Sequence, residues 1–265
     1  MRLEGKVVIV TAATRGIGAA IVRACAQEGA TAYIGARHLD EGRNLAKALA
    51  AEGLEAKCVY NDATEPESFR SMAEEVLANE GRIDGLVSNF GGTKPSEDRD
   101  IASTDYATFL KNVDVNLGSV FLGCQAVIPA MAKAGSGSIV NISSIAGSVP
   151  DISQIAYGTA KAAINHMSKA MAVQLARQGI RVNVVAPGMT ATDAVKDNLS
   201  EDFKRFFLRH IPLSRMADPD HIAAAAVYFL SDESACTTGQ LLEVSGGFGL
   251  ATPIFADAMD AALQR

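Results

Sequence analysis

Short runs rich in Val and Ile recur along the whole chain, and longer amphipathic stretches separate them. The strand-like runs are Lys6–Val10, Thr31–Ala36, Ala56–Tyr60, Gly85–Ser88, Ser138–Ile142, Arg181–Ala186 and Leu241–Val244. Helices are read at Gly18–Glu28, Glu41–Glu52, Glu65–Glu80, Tyr106–Ala132 and Ala156–Arg177. The strand runs show no clear alternation of apolar and polar residues, which suits parallel strands covered on both faces. Strand–helix alternation throughout predicts an α/β fold, a doubly wound parallel sheet between two helical layers. The 265 residues, 48% of them hydrophobic, suffice to build such a three-layer sheet as a single domain. No linker, internal repeat or low-complexity tract divides them.

Charge and spacing exclude several function classes. The formal net charge of -6 repels phosphates over most of the surface, so no nucleic acid partner is expected. The apolar run Val7–Val10 is too short for a signal-peptide core. The uncharged stretches Val115–Ala132 and Ala134–Pro150 are broken by polar residues, Gly or Pro, so no membrane association is expected and the chain is read as cytoplasmic. Cys25, Cys58, Cys124 and Cys236 form no CxxC pair and are expected as reduced thiols. His38, His166, His210 and His221 have no paired metal-ligand spacing, and no metal site is expected.

Chemistry enters where the first strand ends. It runs into Thr11-Ala12-Ala13-Thr14-Arg15-Gly16-Ile17-Gly18. Gly16 and Gly18 let the backbone approach a ligand, and the following helix offers free N–H groups and a positive dipole end to a pyrophosphate. The second strand ends Ile34-Gly35-Ala36-Arg37. It lacks the acidic residue that accepts from a ribose 2′-hydroxyl, and Arg15 and Arg37 are placed to converge on a 2′-phosphate, which points to NADP(H). Further on, Tyr157 and Lys161 lie four apart on a predicted helix and share a face, with Ser144 between that helix and the preceding strand. A free Tyr titrates near about 10, and a neighbouring ammonium favours its phenolate. Such a Tyr serves as base in alcohol oxidation and as acid in ketone reduction.

The phosphate turn, the Ser144–Tyr157–Lys161 set and the downstream Pro187-Gly188 together resemble the classical short-chain dehydrogenase/reductase family, from Gly5 to Gly247. The turn is similar to the family's TGxxxGxG loop, with Ala12 in place of the first glycine. The resemblance implies a Rossmann-type sheet and an NADP(H)-dependent oxidoreductase that interconverts a secondary alcohol and a ketone. It implies that Thr11, Thr14, Arg15, Gly16, Ile17 and Gly18 hold the phosphates and that Asn61-Asp62, with Asp62 the better match, contacts the adenine. Asn89 and Gly91 then line the adenosine side, in a segment where Ser88 and Phe90 depart from the family's NNAG. Pro187, Gly188, Thr190 and Thr192 grip the carboxamide, with Thr192 the better match to the family's threonine. Ser144 holds the substrate oxygen, Tyr157 and Lys161 face the nicotinamide ribose, and Asn116 supports a proton-relay water. Residues 1–250 form the dinucleotide-binding domain, with a substrate lid at about 189–216, and residues 251–265 form a tail that covers a site or is loosely ordered. A homotetramer is implied, built on helices 106–132 and 156–177 and on the last strand.

Three further segments, Asn89–Thr93, Val149–Ser153 and Gly246–Pro253, resemble bacterial NADP-dependent bile-acid hydroxysteroid dehydrogenases, the 7α type first, with 12α or 3α beside it. The small-molecule substrate implied is a bile acid or its keto form. Phe203, Phe206, Phe207 and Ile211 would then form an apolar helix face, either a wall for a flat substrate or part of the core. Two other functions are weighed. A 3-oxoacyl-carrier-protein reductase is disfavoured because Ala134-Gly135 and Gln178 stand where basic residues are expected beside the cleft. A non-catalytic NADP-binding sensor is disfavoured because Asn116, Ser144, Tyr157 and Lys161 are all present.

Overall fold

The computed structural model describes residues 1–263. In strand β1 (Val7–Val10), Val8 and Val10 enter one apolar core while Val7 and Ile9 enter another, and all four are buried. A strand buried on both faces requires helices on both sides, and the chain supplies them in alternation. After β1 come α1 (Gly16–Gln27), β2 (Thr31–Ala36), α2 (Leu39–Ala51), β3 (Ala56–Tyr60), α3 (Pro66–Glu80) and β4 (Gly85–Ser88). Then follow α4 (Tyr106–Val113), α5 (Ser119–Ala134), β5 (Gly137–Ile142), α6 (Ile155–Leu175) and β6 (Ile180–Pro187). The last elements are α7 (Asp193–Asn198), α8 (Glu201–Leu208), α9 (Pro219–Leu230), β7 (Leu241–Val244) and α10 (Phe255–Leu263).

The strands form a 7-stranded sheet in the order β3-β2-β1-β4-β5-β6-β7, with every neighbouring pair parallel. Val10 pairs with Ile34 on one side and Val87 on the other, so the strand order reverses at β1. The carboxyl ends of β1 and β4 flank the crevice where open α/β sheets bind ligands. Ile21, Leu49, Ile222 and Phe229 of α1, α2 and α9 cover one face. Phe69, Val120, Val127 and Ile164 of α3, α5 and α6 cover the other.

Besides the short helix α7, which the sequence reading did not include, three elements differ from the sequence expectation. The helix read across Tyr106–Ala132 is two helices joined by a π-helical segment, Asp114–Gly118. Helix α9 was not expected, because Ile222 to Leu230 is almost wholly apolar and buried and so presents no amphipathic stripe to pattern reading. Its start is nonetheless well marked: Pro219 lies in the first turn, and Asp218 N–H donates to His221 Nδ1 at 2.9 Å. The tail adds a helix, α10, tied to α8 by Arg209, which pairs with Asp257 at 3.4 Å and Asp260 at 2.6 Å. Of the tail read as 251–265, residues 264 and 265 lie outside the described residues.

The run Tyr106–Ala134 has the length and mean hydropathy of a membrane span. Its α5 part spends Val120, Cys124, Val127 and Met131 on the sheet. The segment read as a substrate lid leaves and rejoins the body at one point. Thr190 bridges to Ala217, Ala191 N–H donates to the Ala217 carbonyl at 2.8 Å, and Ala217 N–H donates to the Met189 carbonyl at 3.1 Å.

Candidate active site

The turn after β1 is prepared for an anion. Arg15 caps α1 with an extended backbone and no side-chain hydrogen bond, and no acidic residue lies in the first turn. The helix therefore starts at Gly16, two residues before the sequence expectation, with its leading N–H groups free of side-chain caps. Thr11 is buried beneath the turn. Its N–H donates to the Val87 carbonyl at 3.0 Å, and its Oγ1 accepts from Asn89 N–H at 3.0 Å. Asn89 Nδ2 donates to the Ala12 carbonyl at 3.1 Å. A Cβ on Gly18 would lie 2.6 Å from Asn89 Nδ2 and 2.7 Å from the Ala12 carbonyl, so only glycine allows this closure. Ile17 turns away from the crevice and packs on the core under α1.

Ala12, where the family pattern has glycine, sits at φ +50 in the left-handed region. An L-residue there carries a strain of roughly 1–2 kcal/mol that glycine escapes. Because glycine also loosens the unfolded chain, Ala12→Gly is expected to stabilise the protein by about 0.5–1 kcal/mol net. A urea midpoint that stays or falls would contradict this.

A cleft of about 710 Å³ extends from this turn. Thr14, Arg15, Arg37, Asp62 and Gly91 line it, together with Asn61, the first of the two residues read at the end of the third strand, and with His38 and Lys111, which sequence reasoning missed. His38 directly follows Arg37, and that adjacency was the one signal available for it. Arg37 Nε lies 3.9 Å from Asp62 Oδ2, while most of the Arg37 side chain is exposed. Asp62 Oδ1 is occupied, accepting from the N–H and the hydroxyl of Thr64 at 2.8 Å each. Asn61 Oδ1 is buried and has no partner among the described residues. An uncapped helix start, two guanidinium groups and an orphaned acceptor along one cleft fit a dinucleotide.

Gly91 joins this cleft to a second group of residues. A Cβ there would lie 2.6 Å from Lys161 Nζ and 3.4 Å from Asn116 Oδ1. Lys161 is fully buried, and its ammonium donates to the carbonyls of Ile142 at 3.0 Å and Phe90 at 3.2 Å. The Phe90 side chain points the other way, edge-on to Phe69 at 5.7 Å, which accounts for an aromatic residue in this position. Asn116 sits in the π-helical segment. Its Nδ2 donates to the carbonyls of Gly92 and Asn112 at 2.9 Å each, and its Oδ1 accepts from Gly92 N–H at 3.1 Å. Widened helical turns of this kind often mark functional sites, since they turn a side chain out of the regular ladder.

One turn before Lys161 on α6 stands Tyr157, its ring centroid 5.6 Å from Lys161 Nζ. Ser144 follows β5 and starts a short 3₁₀ turn, with its Oγ accepting from Ala146 N–H at 3.2 Å. Burial raises the Tyr157 phenol above its ordinary value, and a hydrogen bond with Ser144 pulls it down. Burial with no anion beside it lowers Lys161 to about 7.

The segment after β6 closes the arrangement. Gly188 crosses Ser245 so closely that a Cβ would lie 2.7 Å from the Ser245 Cα. Thr190 is buried and donates to the Gly188 carbonyl at 3.0 Å, whereas Thr192 caps α7 and faces the start of α1. A Cβ on Gly16 would lie 3.4 Å from Thr192 Cγ2. The expected apolar face of the lid is divided. Ile211 is buried, Phe207 stacks on Phe248 at 5.2 Å and 10°, and Phe203 and Phe206 remain exposed. Gly135 and Gln178 adjoin the amino ends of β5 and β6, so within one chain they do not flank the crevice. Their lack of charge therefore says nothing about a carrier protein approaching this site.

A family model described as "Enoyl-(Acyl carrier protein) reductase" matches residues 11–249. The 7alpha-hydroxysteroid dehydrogenase of Clostridium sardiniense is 46% identical over 256 residues, 97% of this chain and 98% of the relative. The 3-oxoacyl-carrier-protein reductase FabG of Chlamydia muridarum is 37% identical over 246 residues, 92% of this chain and 98% of the relative. The solved structure of a 7 alpha-hydroxysteroid dehydrogenase complexed with NADH and 7-oxo glycochenodeoxycholic acid superposes with a TM-score of 0.88. It is 33% identical, with 93% of this chain and 95% of that one covered.

Proposed function

The chain belongs to the short-chain dehydrogenase/reductase family and is an oxidoreductase that acts on CH–OH groups with a nicotinamide cofactor, and on that premise we propose that it is an NADP(H)-dependent bile-acid hydroxysteroid dehydrogenase, 7α first. The observation that carries the reaction is the meeting of Ser144, Tyr157 and buried Lys161 beside the β1–β4 crevice. The steroid substrate is supported by the 46% identity to a 7alpha-hydroxysteroid dehydrogenase along nearly the whole of both chains.

The nicotinamide ring, when bound, supplies or takes up the hydride. Tyr157 moves the proton at the substrate oxygen, giving it in ketone reduction and taking it in alcohol oxidation. Ser144 holds that oxygen by a hydrogen bond. Lys161 places a positive charge beside the phenol, favours the phenolate, and holds the ribose hydroxyls. Asn116 keeps a water in reach of Lys161 and so connects the site to solvent. Gly16, Gly18 and the start of α1 hold the pyrophosphate, with Thr11, Thr14 and Ile17 shaping the turn. Asp62, Asn89 and Gly91 line the adenosine side. Pro187, Gly188, Thr190 and Thr192 hold the carboxamide. Residues 1–250 act as one domain with a lid at 189–216. The chain works in the cytoplasm as a homotetramer through α4, α5, α6 and β7, where Tyr106, Phe121, Val173 and Leu242 are exposed.

Arg15 and Arg37 support NADP over NAD, because both line the cleft and nothing acidic ends β2. A charge-assisted hydrogen bond contributes about 1.5–3 kcal/mol. Arg37→Ala is therefore expected to weaken NADPH binding roughly 10- to 150-fold and leave NADH nearly unchanged. Equal effects on both cofactors in a fluorescence titration would remove Arg37 from the 2′-phosphate site.

The test of the function is reduced-nicotinamide absorbance with NADP⁺, with NAD⁺ alongside, and bile acids bearing single 3α, 7α, 7β or 12α hydroxyls. Turnover of the 7α compound alone is the expected result. Silence across the panel with turnover of acetoacetyl thioesters would move the chain to the carrier-protein reductases. Cofactor binding with no turnover of any ketone or alcohol would make it a sensor.

A further inference from the structure

Helix α6, which carries Tyr157 and Lys161, begins without a cap of its own. Gln154 precedes it in the left-handed region at φ 60 and ψ 45, and its side chain bonds nothing in the first turn. The cap arrives from a distant loop. Asp98 is fully buried. Its Oδ1 accepts from Ala156 N–H at 2.9 Å, and its Oδ2 accepts from Tyr157 N–H at 3.0 Å. The Thr93 hydroxyl donates to the same Oδ2 at 2.9 Å. Beside it, the Arg99 carbonyl accepts from Ile155 N–H at 3.1 Å.

A carboxylate at a helix start meets unpaired N–H groups and the positive dipole end, and a buried one needs its lone pairs filled. A local Ser or Asp in place of Gln154 would meet those needs as well. It would not fix α6 relative to the loop that follows β4. That loop reaches three members of the site in turn. The Phe90 carbonyl takes a hydrogen bond from Lys161 Nζ, Gly92 exchanges two with Asn116, and Thr93 and Asp98 close on the backbone of Tyr157.

We propose that Asp98 is a positioning residue for Tyr157. It locks the first turn of α6 to the post-β4 loop, so that the phenol keeps one distance from Lys161, Asn116 and the cofactor cleft. This rests on Tyr157 being the acid/base, and misplacement of a reacting group by about 1 Å costs on the order of 10²-fold in rate.

The test compares full-length Asp98→Ala and Asp98→Asn with wild type, using Tyr157→Phe as reference. In Asp98→Ala, kcat is expected to fall about 100-fold while the NADPH dissociation constant stays within about twofold. In Asp98→Asn, one amide N–H must face a backbone donor, and kcat falls between those of wild type and Asp98→Ala. A parallel loss of kcat, cofactor affinity and melting temperature would mark a merely structural cap and overturn the proposal, as would an unchanged kcat. Should Asp98→Ala fail to fold, Thr93→Val removes one bond to Oδ2 and leaves the helix cap. Its kcat is then expected to fall about 3- to 10-fold at constant cofactor affinity, and no change overturns the proposal. An active Tyr157→Phe would instead sink the assignment of the acid/base itself. A fully active Asp98→Ala beside an inactive Tyr157→Phe would sink the Asp98 inference alone.

Discussion

Tyr157→Phe is expected to leave the fold and cofactor binding intact and to lower kcat in both directions by about 10²- to 10⁴-fold. The ring stays, so packing against α6 and the Lys161 ammonium is kept, and the one group lost is the hydroxyl that moves the proton. The loss is expected in kcat and kcat/KM alike, because the proton moves in the transition state and not on binding. NADPH fluorescence titration against the wild-type curve checks the first half, and steady-state rates in both directions check the second. A variant that keeps a tenth of wild-type kcat would mean that another group carries the proton.

Lys161→Met carries two effects of opposite sign. Activity falls, because the phenol loses the ammonium 5.6 Å from its ring, and oxidation then needs a higher pH to populate the phenolate. The rising limb of the pH–rate profile for alcohol oxidation is expected to move to higher pH; a limb that stays in place would detach Lys161 from the titration of Tyr157. Stability of the cofactor-free protein moves the other way. Lys161 titrates at about 7 in the fold against 10.5 for the free side chain. Between those values the unfolded chain binds more protons than the folded one, so stability rises with pH across the window, and the full penalty of the buried charge is present below pH 7. Methionine removes that penalty, on the order of several kcal/mol, and flattens the slope. Urea denaturation at pH 6 and pH 9 reads both, and an equally steep slope in Lys161→Met would assign it to other groups.

Much of the fold was legible because the strands are short apolar runs and the helices between them mostly keep a polar face. Each predicted strand appears, with β1 starting at Val7 and β6 spanning Ile180–Pro187. Helix α9 escaped because burial on many sides erases periodicity, and the π-helical segment at Asp114–Gly118 escaped because one widened turn leaves hydrophobic spacing almost unchanged. In the site, the turn glycines and Tyr157–Lys161 were visible because their chemistry imposes fixed spacing. Asp98 was not. It lies in a charged stretch, Ser96-Glu97-Asp98-Arg99-Asp100, that reads as a solvated loop, and only tertiary structure shows one of those acids fully buried.

The bridge between Thr190 and Ala217 has a consequence for how such a chain changes its substrate. Because the two feet of the excursion stand side by side, lengthening or shortening what lies between them leaves the span it must close unaltered. The entropy of closing a flexible loop grows only with the logarithm of its length, about 0.6 kcal/mol for each doubling. If the segment is the substrate lid, residues 193–216 are the part to exchange as a cassette, with Thr190 and Thr192, strand pairing and the Ser144–Tyr157–Lys161 set left in place.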